Sequence, residues 1–124
     1  MKNTVNTKFY TFSQNNSGGL FIKSEKEGIS ECVIIEALEP NHANTRAEEI
    51  GLYFDGCDKG EDCSCCGDRW YRTSERDGYE VPSVYGKLLS DMEKSSHIES
   101  CFVHYLDGKF EKIEFKQNAD DVGV

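Results

Sequence analysis

The chain has 124 residues, 23 acidic against 14 basic, which leaves a net charge of −9 and a pI near 4.8. That balance excludes general affinity for a nucleic-acid backbone or an anionic membrane surface. The longest apolar run, Cys32 to Ile35, is four residues, far short of the roughly 20 that a membrane span needs, and no apolar stretch follows Met1-Lys2-Asn3-Thr4 as a secretory signal requires.

Lys8 to Phe12 carries the β-branched and aromatic content of a strand. It runs into Ser13 to Gly19, a polar loop rich in residues that tolerate positive φ, and Leu20-Phe21-Ile22 reads as a return strand. Glu25 to Gly28 is a turn. Glu31 to Ala37 is apolar on both faces at its centre, as an inner strand should be. Pro40-Asn41 opens a helix with Asn41 as N-cap. Ala43, Ala47, Ile50 and Phe54 recur at helical spacing, and Asp55-Gly56 closes it. Arg69 to Tyr71 reads as a short strand. Leu88, Leu89 and Met92 mark a second, short helix ending near His97. Cys101 to Leu106 and Phe110 to Phe115 flank Asp107-Gly108, a tight-hairpin signal. The expectation is one α+β domain over residues 1–124, ordered from about 7 to 116 with an acidic tail at 117–124. Its architecture would be a mainly antiparallel sheet with two helices on one face and a Cys-rich loop.

The six cysteines divide unevenly. Cys32 and Cys101 lie alone in β-rich stretches and read as small buried hydrophobes. Cys57, Cys63, Cys65 and Cys66 crowd into ten residues. In a reducing cytosol disulfides are the lesser reading. Cys63-Ser64-Cys65-Cys66-Gly67 contains C-x-x-C followed by glycine, the form of a zinc knuckle, in which a turn aims two thiolates at one tetrahedral ion. Cys57 is then the third ligand, leaving Cys65, His42, His97, His104 or Cys101 for the fourth. No metal or other cofactor is required by this reading; a structural zinc held by Cys57, Cys63 and Cys66 competes with a reduced loop packed under Trp70.

Three of the four arginines, Arg69, Arg72 and Arg76, fall within eight residues beside the only tryptophan. In a chain this acidic, such a reversal of charge is informative. Arginine grips phosphate or carboxylate through a planar fork, and Trp70 or Tyr71 offers a face to a base. The plainer alternative is that these arginines neutralise Asp55, Asp58, Asp62 and Asp68 while Trp70 covers the core. The Ser13–Gly19 loop matches neither a P-loop nor a dinucleotide fingerprint, and a long hairpin loop is its simpler reading. His42, His97 and His104 have no nucleophile in a recognisable elbow, so no catalytic set assembles.

Phe9-Tyr-Thr-Phe-Ser-Gln-Asn-Asn-Ser-Gly-Gly19, Arg46 to Gly56 and Asp62-Cys-Ser-Cys-Cys-Gly-Asp-Arg-Trp-Tyr71 together resemble a family of small proteins common in tailed-phage genomes and catalogued as of unknown function. The resemblance spans about residues 8–71 and implies a viral protein acting in the host cytoplasm. Some small acidic phage proteins bind a nucleotide immune signal without cleaving it, and by that analogy the expected activity is sequestration of an ADP-ribose derivative or a cyclic nucleotide. Arg69, Arg72 and Arg46 would hold phosphates, Trp70 or Tyr71 would stack on the base, and Asn15, Asn16 and Gly18 would close over the ligand. One short protomer has little depth for a pocket, so a homo-oligomer is expected. The rival expectation is a protein-interaction module that shows an acidic, Cys-loop-stabilised surface to a host protein.

Overall fold

The computed structural model describes residues 6–15, 21–84, 87–92 and 99–115. Five strands form one sheet, in the spatial order Gly78–Tyr79, Lys8–Ser13, Cys32–Ala37, Ser100–His104 and Phe110–Glu114. They are β1 (Lys8–Ser13), β2 (Cys32–Ala37), β3 (Gly78–Tyr79), β6 (Ser100–His104) and β7 (Phe110–Glu114). A two-stranded ribbon pairs β4 (Ser83–Val84) with β5 (Lys87–Leu88). β1 runs antiparallel to β2 from Lys8↔Ala37 to Ser13↔Cys32, and β6 runs parallel to β2 with Val33 beside Phe102.

β2 is the strand that explains the core. Its apolar run is buried from both sides, so side chains of alternate parity meet different layers. Val33, Ile35 and Ala37 join Tyr10 and Phe12 beneath Ala43 and Ala47 of helix α1 (Pro40–Ile50), with Leu52, Phe54 and Trp70. Cys32 and Ile34 face the other way, toward Val84, Met92, Cys101, Val103 and Phe115. Cys32 and Cys101 are both fully buried, their Sγ atoms 3.1 Å apart across adjacent strands.

Two helices on one face do not form. Among the described residues there is one α-helix, with single 3₁₀ turns at Glu75–Asp77 and Leu89–Asp91. Leu88, expected inside a second helix, pairs with Ser83 as a strand and is exposed. Met92 beyond the turn is extended (φ −77°, ψ 145°) and buried in the layer opposite α1. Three apolar residues give a helix too little face to bury, so pairing with β4 prevails. Residues 93–98 of that expected helix, the tail and part of the Ser13–Gly19 loop lie outside the described residues.

Other local expectations shift for identifiable reasons. Helix α1 begins two residues earlier than an Asn41 N-cap implies, with Glu39 as N-cap and Pro40 at the first turn, where its missing N–H costs nothing. Gly51, at φ 132°, stops it before Phe54, its N–H capping Ala47 O. Phe21 to Lys23 form no strand. The Gln14 side chain stands in for a ladder there, accepting from Ile22 N at 2.6 Å and donating to Ile22 O at 3.0 Å. Arg69 to Tyr71 is irregular chain rather than strand.

The Ser24–Ile29 turn folds over β6 and β7. Gly28 sits at φ 77°, and a Cβ there would lie 2.7 Å from Phe110 and 2.8 Å from His104, so only glycine permits this approach. His104 Nε2 is 2.8 Å from Gly28 O, and its ring stacks on Phe110. Burial holds the imidazole below its ordinary range, so the neutral ring donates its Nε2–H to that carbonyl. The unfolded chain therefore takes up this proton more readily than the folded one. The contribution is complete above the ordinary histidine value of about 6.5 and lost as pH falls through the lower folded value. Urea-unfolding free energy should decline between about pH 7 and pH 5, and His104→Gln, which cannot be charged, should flatten that slope.

Candidate functional site

The chain leaves α1 through Phe54 and Asp55 (φ 60°) into the acidic cysteine loop, which returns at Arg69. Asp62 organises that loop. Its enclosed carboxylate accepts from Tyr53 Oη at 2.7 Å and from the Arg69 backbone N–H at 2.7 Å, with Arg69 Nε 3.7 Å away. Gly56 makes room for it, since a Cβ there would come within 1.9 Å of Asp62 Oδ2. Arg69 Nε also donates to Tyr53 Oη at 3.1 Å, and its Nη1 donates to Gln14 Oε1 at 2.8 Å. The guanidinium thereby joins the loop to the end of β1, beside Trp70, which is 2% exposed.

These contacts sort the residues singled out from the sequence. Arg69 and Trp70 are interior, held by ionic, hydrogen-bonding and packing partners. Arg46 lies on α1, with Nη1 3.5 Å from Tyr105 O and Nε 4.0 Å from Glu49. Asn15 is spent on the loop: its Nδ2 donates to Cys66 O at 2.8 Å and Asp68 O at 3.1 Å. Asn16 and Gly18 lie outside the described residues. Tyr71 and Arg72 do come together at the surface, Tyr71 57% exposed.

They line a cleft of about 290 Å³ with Thr11, Phe12 and Ser13 of β1, Thr73, Asp77 and Tyr79. It opens where β1 runs on past β3, which pairs only with Phe9 and Tyr10. Arg72 Nη2 donates to Asp55 Oδ2 at 2.8 Å, and the guanidinium lies 5.0 Å over the Phe54 ring. Arg72 holds the Asp55 carboxyl below the usual carboxylate range. Thr73 is fixed by its backbone, N to Asn44 Oδ1 at 2.9 Å and O from Asn44 Nδ2 at 3.3 Å. Its hydroxyl is buried without a hydrogen-bond partner among the described residues. Thr11, Thr73, Asp77 and Tyr79 escaped sequence reasoning. The one available signal was strand alternation, which places Thr11 and Ser13 on one face but does not say what faces them.

The thiols form a second cluster. Cys63, Cys65 and Cys66 have their sulphurs within 4.8 Å of one another. The trio read from spacing included Cys57 instead; that sulphur contacts Cys63 O at 3.4 Å. Of the candidate fourth ligands, Cys65 joins the cluster, while His42 Nδ1 accepts from Leu38 N at 3.1 Å. His104 and Cys101 are buried elsewhere, and His97 lies outside the described residues. Hydrogen bonds from Cys65 and Cys66 lower the Cys63 thiol to about 7. Its hydrogen bonds to Cys63 and Cys66 raise Cys65 to about 11, and burial with Asp68 alongside raises Cys57 to about 11.

Two outcomes follow from this geometry. Asp62→Ala leaves the Arg69 charge enclosed without its carboxylate and should cost about 3–5 kcal/mol in chemical denaturation. In reduced, metal-free protein at about pH 7.5, iodoacetamide should modify Cys63 well before Cys57 or Cys65 when sites are mapped by peptide mass spectrometry.

Among the described residues, no helix is long and apolar enough to cross a membrane. No curated protein and no solved structure matches the chain. One family model, described as a domain of unknown function (DUF7296), matches residues 7–121. Spanning nearly the whole sequence, that match makes the chain a member of the DUF7296 family.

Proposed function

We propose that this protein binds a nucleotide-derived ligand in the Tyr71–Arg72 cleft and sequesters it without cleaving it. The observation that carries this reading is the cleft that brings exposed Tyr71 and Arg72 together against the end of β1. Thr73 lines the same cleft, and its buried hydroxyl has no hydrogen-bond partner among the described residues, a state that costs about 1–3 kcal/mol and is uncommon in folded proteins. Tyr71 supplies a face for a base. Arg72 gives one nitrogen to Asp55 and keeps further N–H donors for a phosphate. Asp77 also lines the cleft and Arg72 is already paired with Asp55, so the site suits a ribose hydroxyl beside a single phosphate better than a polyphosphate. Arg69 and Trp70 serve from beneath, holding the segment in place.

The cleft's volume of about 290 Å³ sits at the lower bound for ligand pockets, roughly 300 Å³. A second protomer closing over it would complete the enclosure, which is why a homo-oligomer belongs to the proposal. The wider setting is a phage protein that removes a host immune signal in the host cytoplasm. It rests on the motif resemblance at residues 8–71. A second reading is an interaction module. It is favoured by the exposed apolar groups Tyr79, Val81 and Leu88 around the small strands, set in an acidic chain.

Thermal-shift measurements against cyclic nucleotides and ADP-ribose derivatives test the first reading. At least one ligand should stabilise the protein and be recovered intact after denaturation. Tyr71→Ala should weaken it by about 1–3 kcal/mol, the usual worth of one base–aromatic stack. Absence of any shift across the panel, or recovery of a cleaved ligand, rejects sequestration. A stoichiometric protein complex that leaves the cleft variants unaffected supports the interaction module instead.

A further inference from the structure

The 63–67 turn gathers three sulphurs with a defined geometry. Cys66 N and Gly67 N both donate to Cys63 O at 3.1 Å, and Gly67 at φ 91° turns the chain back toward Asp68. Asn15 holds the turn from below through Cys66 O and Asp68 O. Cys63 and Cys65 sulphurs are 2.9 Å apart, and those of Cys65 and Cys66 are 3.9 Å apart. Zinc–sulphur bonds of about 2.3 Å set two sulphurs of a tetrahedron about 3.8 Å apart. The Cys65–Cys66 pair already has this spacing, and Cys63–Cys65 must open by roughly 1 Å. Cys65 and Cys66 are exposed, so that opening disturbs no core packing.

Cys57 does not belong to this set. Its N–H donates to Asp68 Oδ1 at 2.9 Å, and its sulphur rests on Cys63 O. Among the described residues, no fourth cysteine, histidine or carboxylate joins the three sulphurs. Asp58 and Glu61 on the same loop add negative charge, which favours a cation and disfavours an anion.

We propose that Cys63, Cys65 and Cys66 form a three-thiolate site for a thiophilic cation, zinc foremost, with the fourth coordination position left to water or an outside ligand. A closed structural zinc site fills all four positions from the protein, whereas three protein ligands and one open position leave the metal able to take a further donor. No residue belongs to both the thiol cluster and the cleft lining, although the Tyr71 hydroxyl of the cleft lies close to Gly67 of the thiol turn.

The test uses the reduced full-length chain titrated with zinc against a chromophoric chelator, and with cadmium to read thiolate charge-transfer absorption. One ion should bind per chain. Cys65→Ser should weaken binding at least tenfold, and Cys57→Ser should leave it within about twofold. X-ray absorption of the zinc-loaded protein should report three sulphurs and one lighter donor. Four sulphurs, equal losses in the two variants, or no zinc held against the chelator would overturn the proposal. Cooperative thermal unfolding of both variants, monitored through buried Trp70, shows that any loss arises at the metal and not from misfolding.

Discussion

The enclosed pair of Asp62 and Arg69 is the interaction on which the surface chemistry of this protein depends. A guanidinium taken out of water is stable only when it is hydrogen-bonded and ion-paired, and Asp62, Tyr53 and Gln14 provide this from three separate parts of the chain. Gln14 lies just past β1, Tyr53 just past α1, and Asp62 in the cysteine loop. One side chain thus fixes the loop, the helix exit and the sheet edge relative to each other. With Arg69 and Trp70 turned inward, Tyr71 and Arg72 are turned outward.

The same arrangement separates two chemistries that lie close together in sequence. One is a cleft with an aromatic face, an arginine and a threonine whose hydroxyl has no partner among the described residues. The other is a turn of thiols in an acidic loop. The first offers hydrogen-bond donors and a stacking surface to an organic ligand. The second offers soft, anionic ligands to a cation. Asn15 touches the thiol turn directly and continues from β1, whose Thr11 and Ser13 line the cleft. Asn15 thus serves as a strut between β1 and the thiol turn.

What could be read in advance was what local pattern encodes. β1, β2 and the β6–β7 hairpin follow from β-branched runs and from Asp107-Gly108. There Gly108, at φ 94°, donates to Tyr105 O to close the turn. Cys32 and Cys101 behave as the small hydrophobes their isolation suggested. The failures share a cause. Leu88, Leu89 and Met92 have helical spacing, yet Leu88 finds a strand partner in Ser83, and no periodicity reveals a partner outside its own window. Arg69 and Trp70 had the composition of a binding surface. Their burial was decided by Asp62, seven residues back, and Gln14, 55 residues away.

The acidic balance, the inner strand and the crowding of cysteines and arginines were all determined by the sequence itself, because composition and short-range period specify them. Which arginine meets solvent, which thiol completes the cluster, and that β1 outruns β3 to leave a cleft were decided only by the tertiary structure. Each of these turns on hydrogen-bond partners and burial supplied by distant segments. An anionic protein with one cationic stretch became, in three dimensions, a protein whose Arg69 is interior and whose Arg72 reaches the surface.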